Sequence, residues 1–292
     1  MSESRAPAPV EPVAQDLLLR GVRVRYLDVG EGEVLLLVHG VFTSARSWSR
    51  IIPWLAPHYR VIAPDLPGFG DSEKPTRFAF SREAFAETLC DLLAGVGVPR
   101  AHVVGHDLGG SVALTLAADH PEVVDRLTVI NTPTARAPRP LQHRLALAPL
   151  VGSGYLKQFL HRAAFHGLFR DAVYAAPEGY DRATVDAWYD AFDPPEAREC
   201  ALRALQQSAD LSSLGPRVTK VRAPTLVVWG ERDRFGPMHL GRQLANELAG
   251  ARFEPIARAG HSPHEEAPEP TADAIHRHLR GPSRRSPGAS VR

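Results

Sequence analysis

Along most of this chain, short apolar runs alternate with longer amphipathic stretches. Residues 34–38, VLLLV, form an unbroken apolar run, the pattern of a strand buried on both faces. Val22 to Val29 alternates in character and predicts an antiparallel-type strand. Further strands are predicted at Arg60 to Ala63, Ala101 to Val104, Leu127 to Ile130, Thr225 to Trp229 and Ala251 to Pro255. Ser81 to Ala94 predicts a helix, with Ser81 as N-cap and Gly95 near its C-terminus. Gly109 to Asp119 predicts a second. Strands alternating with helices mean an α/β fold, with a mostly parallel sheet covered by helices on both faces.

One segment breaks the rhythm. Residues 132–220 contain no convincing strand and read as helix punctuated by Pro and Gly: PRPLQHRLALAPLVGSG, YLKQFLHRAAFHGLF and DRATVDAWYDAF. About 90 helical residues between two buried strands predict a lid over the carboxyl edge of the sheet, where open α/β sheets bind ligands. The expected organisation is a core of residues 17–131 and 221–280 and a helical lid, or cap, of 132–220. Residues 1–16 and 281–292, rich in Pro and charge, are expected to be disordered tails.

Composition narrows the function classes. Lys+Arg is 34 and Asp+Glu is 33 in 292 residues, a net charge of +1. That balance gives no footprint for nucleic acid or an anionic membrane surface. No apolar run reaches the roughly 18 residues that span a bilayer, and the N-terminus lacks a signal-peptide apolar stretch. Two cysteines, Cys90 and Cys200, build neither a disulfide framework nor a four-cysteine zinc site. The expectation is a soluble cytoplasmic protein.

Three candidate chemical groups stand after predicted strands. Gly105-His106-Asp107-Leu108-Gly109 has the G-x-Nuc-x-G form of a nucleophile elbow, a sharp turn between strand and helix. Serine is usual at the centre; here it is Asp107. An aspartate is already ionised at neutral pH, and a helix N-terminus favours its charge further. Its attack on an ester carbonyl would give an anhydride that reverts. Its attack on an electrophilic sp3 carbon gives an alkyl ester of the enzyme, which water must then hydrolyse. As an alternative, Asp is also a favoured helix N-cap. The second group is Asp233 in GERD (230–233), after TLVVW, and the third is His261 in GHSPHEE (260–266). His261 would take the proton of the hydrolytic water, oriented by Asp233. His39 and His106 read as structural residues.

The order Asp107, Asp233, His261, together with VLLLVHG (34–40), RVIAPDLPGFGDSEKP (60–75), VVGHDLGG (103–110) and PTLVVWGERD (224–233), resembles the α/β-hydrolase superfamily. The likeness runs from Leu17 to Leu279 and is to the branch with an aspartate nucleophile. The resemblance implies an oxyanion hole made by the backbone N–H groups of Val41 and Leu108. In the family's His-Gly loop Pro is usual where Phe42 stands.

That branch includes epoxide hydrolases and haloalkane dehalogenases. The former resemblance implies lid tyrosines over the nucleophile. Tyr155, Tyr174, Tyr180 and Tyr189 fall in the lid, and Tyr155 is the preferred donor because it opens a helix after the Gly152-Ser153-Gly154 turn. In dehalogenases the residue after the nucleophile is typically Trp. Here Leu108 has no side-chain donor, leaving Trp48 and Trp188 as candidate halide donors or packing residues. Asn131 cannot act as an alternative carboxylate after the preceding strand. The leading expectation is an epoxide hydrolase-like enzyme, with a dehalogenase second and a non-catalytic ligand-binding protein on the same fold as the reading from another class. The expected partners are a small apolar organic substrate and water, with no cofactor, metal, nucleic acid or membrane. Leu145, Leu147, Leu150, Phe159, Phe165 and Phe169 make the lid apolar.

Overall fold

The structure is a computed structural model that describes residues 10–133, 161–176, 179–208 and 211–281. Eight strands form one sheet in the order β1-β2-β4-β3-β5-β6-β7-β8. They are β1 (Val13–Leu19), β2 (Val22–Val29), β3 (Val34–Val38), β4 (Arg60–Pro64), β5 (Ala101–His106), β6 (Val124–Ile130), β7 (Thr225–Gly230) and β8 (Arg252–Ile256). The β1–β2 and β2–β4 pairs are antiparallel, and all pairs from β4 through β8 are parallel.

The apolar runs sort onto two faces with the period of a strand. Leu36, Val38, Val103, Leu127, Val129 and Val227 lie in one core with the helices Arg82–Gly95, Leu108–Asp119 and Met238–Glu247. Leu35, Leu37, Val104, Ile130, Leu226 and Val228 lie in the other with Ile52–Leu55 and Pro268–Leu279. A strand that feeds both cores has no polar face, which is why VLLLV does not alternate. The helix Arg82–Gly95 starts where its cap predicts: the Ser81 hydroxyl accepts the Ala84 N–H at 3.2 Å.

Strand β1 corrects the expected tail of residues 1–16. Val13 to Asp16 pair with Asp28 to Arg25 of β2. The link is a two-residue turn, Arg20-Gly21, with φ of 49° and 80°, as type I′ hairpins require. The strand is hard to read because it sits at the sheet edge. Val13 and Leu18 are 61% and 73% exposed, so no alternating buried face marks it.

Between β6 and β7 the described residues are helical: Arg162–Leu168, continued by a π turn at Phe169–Val173, then Arg182–Phe192, Pro195–Ser208 and Leu214–Val218. Phe165 and Phe169, two of the apolar residues noted above, are buried in the first core. Leu145, Leu147, Leu150 and Phe159 lie outside the described residues. The inserted segment packs on loops that follow the carboxyl ends of the strands. Phe42, after β3, meets Phe165 and Phe192 edge-on, with centroids 6.2 and 5.3 Å apart. Among the described residues, no helix is long and apolar enough to cross a membrane.

Candidate active site

Asp107 sits between β5 and the helix Leu108–Asp119 with φ 49° and ψ −119°, a conformation that an L-residue adopts at a cost. The neighbouring glycines make that bend possible. A Cβ at Gly105 would lie 2.3 Å from the Gly109 carbonyl oxygen, one at Gly109 2.2 Å from that of Val38, and one at Gly110 1.8 Å from Thr132 Oγ1. Two of those neighbours are backbone atoms held in place by the sheet and by the helix Leu108–Asp119, so they cannot move aside. Gly109→Ala is therefore expected to prevent a native elbow, read as loss of the cooperative thermal transition in circular dichroism.

The bend lifts the carboxylate to meet groups from other strand ends. The Val41 N–H donates to Asp107 Oδ2 at 3.0 Å, and the Leu108 N–H bonds to the same carboxylate. Oδ1 lies 3.8 Å from His261 Nε2, and His261 Nδ1 is 3.0 Å from Asp233 Oδ2. Thus Asp107, Asp233, His261, Val41 and Leu108, separate in sequence, converge at one edge of the sheet. Phe42 follows Val41 with φ 62°, which a proline ring forbids, so the departure from Pro belongs with this loop conformation.

Burial and charge oppose each other here. Burial pushes the Asp107 carboxyl up, but the nearby His261 charge, the His106 ring and the Leu108 N–H outweigh it and hold the group below the usual carboxylate range. Burial pushes the His261 imidazole down, but Asp233 and Asp107 outweigh it and raise it to about 10. The resting site is therefore an ionised Asp107 and Asp233 around a protonated His261. A base with a raised pKa stabilises the folded chain fully below its unfolded value of about 6.5 and loses that contribution as pH rises through the folded value. The thermal midpoint is expected to fall between pH 7 and 10.5, and to fall less in His261→Gln, in a pH series of melting curves.

Asn131 is the site residue that sequence reasoning underrated. It cannot be a carboxylate, but it serves one: its Nδ2 donates to Asp233 Oδ2 at 2.6 Å and its Oδ1 accepts the Gly230 N–H at 3.1 Å. The Phe235 and Gly236 N–H groups hold Asp233 Oδ1 at 2.8 and 3.1 Å. The only signal for Asn131 was its place at the end of β6, beside the other strand-end residues. Asn131→Ala leaves the buried Gly230 N–H without this acceptor. A loss of about 1–3 kcal/mol is expected in urea denaturation.

The structural reading of the other histidines fits their contacts. His39 accepts the Leu66 N–H at Nε2 (2.9 Å), and its Nδ1 lies 2.7 Å from the Gly40 carbonyl oxygen. His106 Nε2 donates to the His261 carbonyl at 2.9 Å, and burial, aided by the His261 charge, lowers its pKa to about 4. The candidate tryptophans do not join the carboxylate. Trp48 is fully buried in the second core and stacks on His264 at 4.3 Å. Trp188 lies under the inserted helices, beside a small cavity with Phe42, Phe69 and Phe192, and its indole N–H has no acceptor among the described residues. Tyr174 donates to Glu265, Tyr180 pairs with His166, and Tyr189 accepts from Arg198. Tyr155 lies outside the described residues. Among the described residues, no group of three or more His, Cys, Asp or Glu side chains is arranged to hold a metal ion.

The chain is similar to known hydrolases over nearly its whole length. A 2-hydroxy-6-oxononadienedioate/2-hydroxy-6-oxononatrienedioate hydrolase of Paraburkholderia phymatum is 30% identical over 258 residues, covering 82% of this chain and 85% of that one. The crystal structure of Cfl2 from Burkholderia cenocepacia superposes with a TM-score of 0.82 and 25% identity, over 91% of this chain and 95% of that one. The epoxide hydrolase CorEH shares the fold, with a TM-score of 0.78 and 24% identity, over 92% and 99%. The sequence profile of the alpha/beta hydrolase fold family matches residues 33–268, and the chain belongs to that family.

Proposed function

We propose that this hydrolase uses Asp107 as a nucleophile toward an sp3 carbon, with an epoxide as the favoured electrophile. The observation that carries this reading is how the two carboxylate oxygens are divided. Oδ2 already accepts the Val41 N–H at 3.0 Å, while Oδ1 faces His261 Nε2 across 3.8 Å. A hydroxyl nucleophile has only one oxygen and cannot occupy both places. A carboxylate attacking through Oδ1 becomes an ester whose carbonyl oxygen, Oδ2, already accepts from the Val41 N–H, a donor that stabilises charge when water adds.

In the first step Asp107 Oδ1 bonds to an epoxide carbon and the ring C–O bond breaks. The alkoxide formed takes a proton. We assign its donor to Tyr155, since the other lid phenols hold the partners described above. Esterification removes the Asp107 charge, and with it one of the two attractions that hold the His261 proton. The Tyr155 phenolate left by the first step takes back a proton from the His261 imidazolium, and the neutral imidazole then takes a proton from water as that water adds to Cγ, with Asp233 stabilising the cation. The Cγ–Oδ1 bond then breaks and a diol leaves with Oδ1. In this reading the inserted segment 132–220 is the lid that excludes bulk water. Substrates that offer an acyl carbon suit Asp107 less, because their adduct is an anhydride.

Trp188 supports a second reading. Its buried indole N–H, without an acceptor among the described residues, is a donor that a departing halide could use in a dehalogenase. A panel of epoxides, haloalkanes and esters, assayed with the wild type and Asp107→Ala, separates these cases. Diol formation that depends on Asp107 is expected. Halide release with no diol would promote the dehalogenase. Ester cleavage surviving in Asp107→Ala would remove Asp107 from the chemistry, and no turnover of any class would favour a binding protein. Tyr155→Phe is expected to lower epoxide turnover about 10²-fold or more, measured against the same panel.

A further inference from the structure

Glu266 lies five residues beyond His261 and takes no part in the steps above, yet its carboxylate spans two chain segments. Its Oε1 accepts the Gly260 N–H at 2.8 Å and the Ser262 N–H at 3.3 Å, which are the two residues flanking His261. Its Oε2 accepts the Ala175 N–H at 2.7 Å, from the inserted segment. The His261 N–H itself donates to the Val173 carbonyl at 2.8 Å. Between these, the Tyr174 hydroxyl donates to Glu265 at 2.9 Å. Three consecutive residues, 173–175, are thus bonded to the loop that carries the base. The approach is close: a Cβ at Gly260 would lie 2.6 Å from the Val173 oxygen and 2.7 Å from the Ala175 nitrogen. The π turn Phe169–Val173 feeds directly into this strap.

We propose that Glu266 is a positioning residue that locks the His261 loop to the strap Val173–Ala175, so that the inserted segment and the base move as one unit. The proposal rests on the reading of His261 as the base. A histidine on a free loop would sample orientations in which Nε2 leaves the water it must deprotonate. Reaching both segments needs two acceptor oxygens and the full length of a glutamate. Burial raises the carboxyl pKa, while the three backbone donors and His261 lower it. The electrostatic influence of His261 on Glu266 means that charge alone is the competing explanation, and the two differ in what they demand of a substitute. Aspartate keeps the charge and loses the reach. Glutamine keeps the reach but has one acceptor where the two segments need two.

The test is the full-length chain carrying Glu266→Asp, Glu266→Gln or, as a change on the strap side alone, Ala175→Pro, which deletes the Ala175 N–H. Single-turnover reaction with an epoxide is followed by intact mass, and amide hydrogen exchange is followed at His261 and Ala175. Both Glu266 variants are expected to form the Asp107 ester at the wild-type rate and to hydrolyse it on the order of 10²-fold more slowly. Exchange at the His261 amide is expected to rise in all three variants. A rate preserved by Glu266→Asp and lost in Glu266→Gln would overturn positioning in favour of charge. A lower melting temperature with unchanged ester hydrolysis and His261 exchange would overturn it in favour of plain stabilisation. If the Glu266 variants do not fold, Ala175→Pro decides by the same readouts. Should the first product of a single turnover in oxygen-18 water carry the label, the nucleophile reading fails by itself, and amide exchange still decides whether the strap holds the loop.

Discussion

Asp107→Asn is expected to abolish turnover, lowering kcat on the order of 10⁴-fold or more while the fold persists. The amide is nearly the same size, and asparagine tolerates positive φ better than alanine, so the bend at 49° should survive. What disappears is the anionic lone pair. An amide oxygen facing His261 does not displace a leaving group from carbon. Circular dichroism and melting curves show whether the fold is kept, and product analysis gives the rate. The isotope experiment on the wild type is sharper still. In a single turnover in oxygen-18 water, the first product should carry unlabelled oxygen, because its new oxygen comes from Asp107 Oδ1. The label should appear in the Asp107 peptide. Labelled oxygen in the first product would falsify the nucleophile assignment, because water would then have attacked the substrate directly.

His261→Gln separates the two halves of the reaction. Ester formation needs only an ionised carboxylate and a proton donor for the leaving oxygen, whereas ester hydrolysis needs a base 3.8 Å from Oδ1. Steady-state turnover is expected to fall on the order of 10²–10⁴-fold. Intact-mass spectrometry should then show one substrate mass added per chain, mapped to the peptide that contains Asp107. The adduct should be absent from the double variant with Asp107→Asn. A variant that turns over slowly without an adduct would show that His261 acts in the first step. A variant with wild-type turnover would exclude it from the chemistry. Asp233 should behave as a milder copy of His261, since it acts only through the Nδ1 hydrogen bond of 3.0 Å.

Much of this architecture is legible in the sequence because strand period and burial speak the same language. The runs at 34–38, 101–106 and 225–230 are central strands whose apolar residues have no alternative to two buried faces, and the run at 22–29 alternates because one of its faces is only partly covered. The three reactive side chains are also legible, since each follows such a strand and a ligand edge is where parallel strands end. Edge strand β1 is not, because water on one side removes the constraint that makes a pattern. Nor is the role of Asn131. A carboxamide at a strand end has the same local signature whether it is solvated or holds Asp233, and only the distance of 2.6 Å distinguishes them. Trp48 shows the converse case. Trp48 follows the oxyanion loop closely in sequence, yet the chain turns it away into the core against His264.

The sequence by itself determined the fold class, the order Asp107, Asp233, His261 along the chain, and an aspartate where a serine is usual. Those properties follow from residue identity and short-range pattern, which each strand and turn carries locally. The tertiary structure alone decided which oxygen of Asp107 meets the oxyanion donors, which residue supports Asp233, and that Glu266 ties the base loop to the inserted segment. These are contacts between residues that lie 66 to 102 positions apart, and their geometry depends on how the whole sheet twists and packs. No local rule sets a distance of a few ångströms between groups so far apart in the chain.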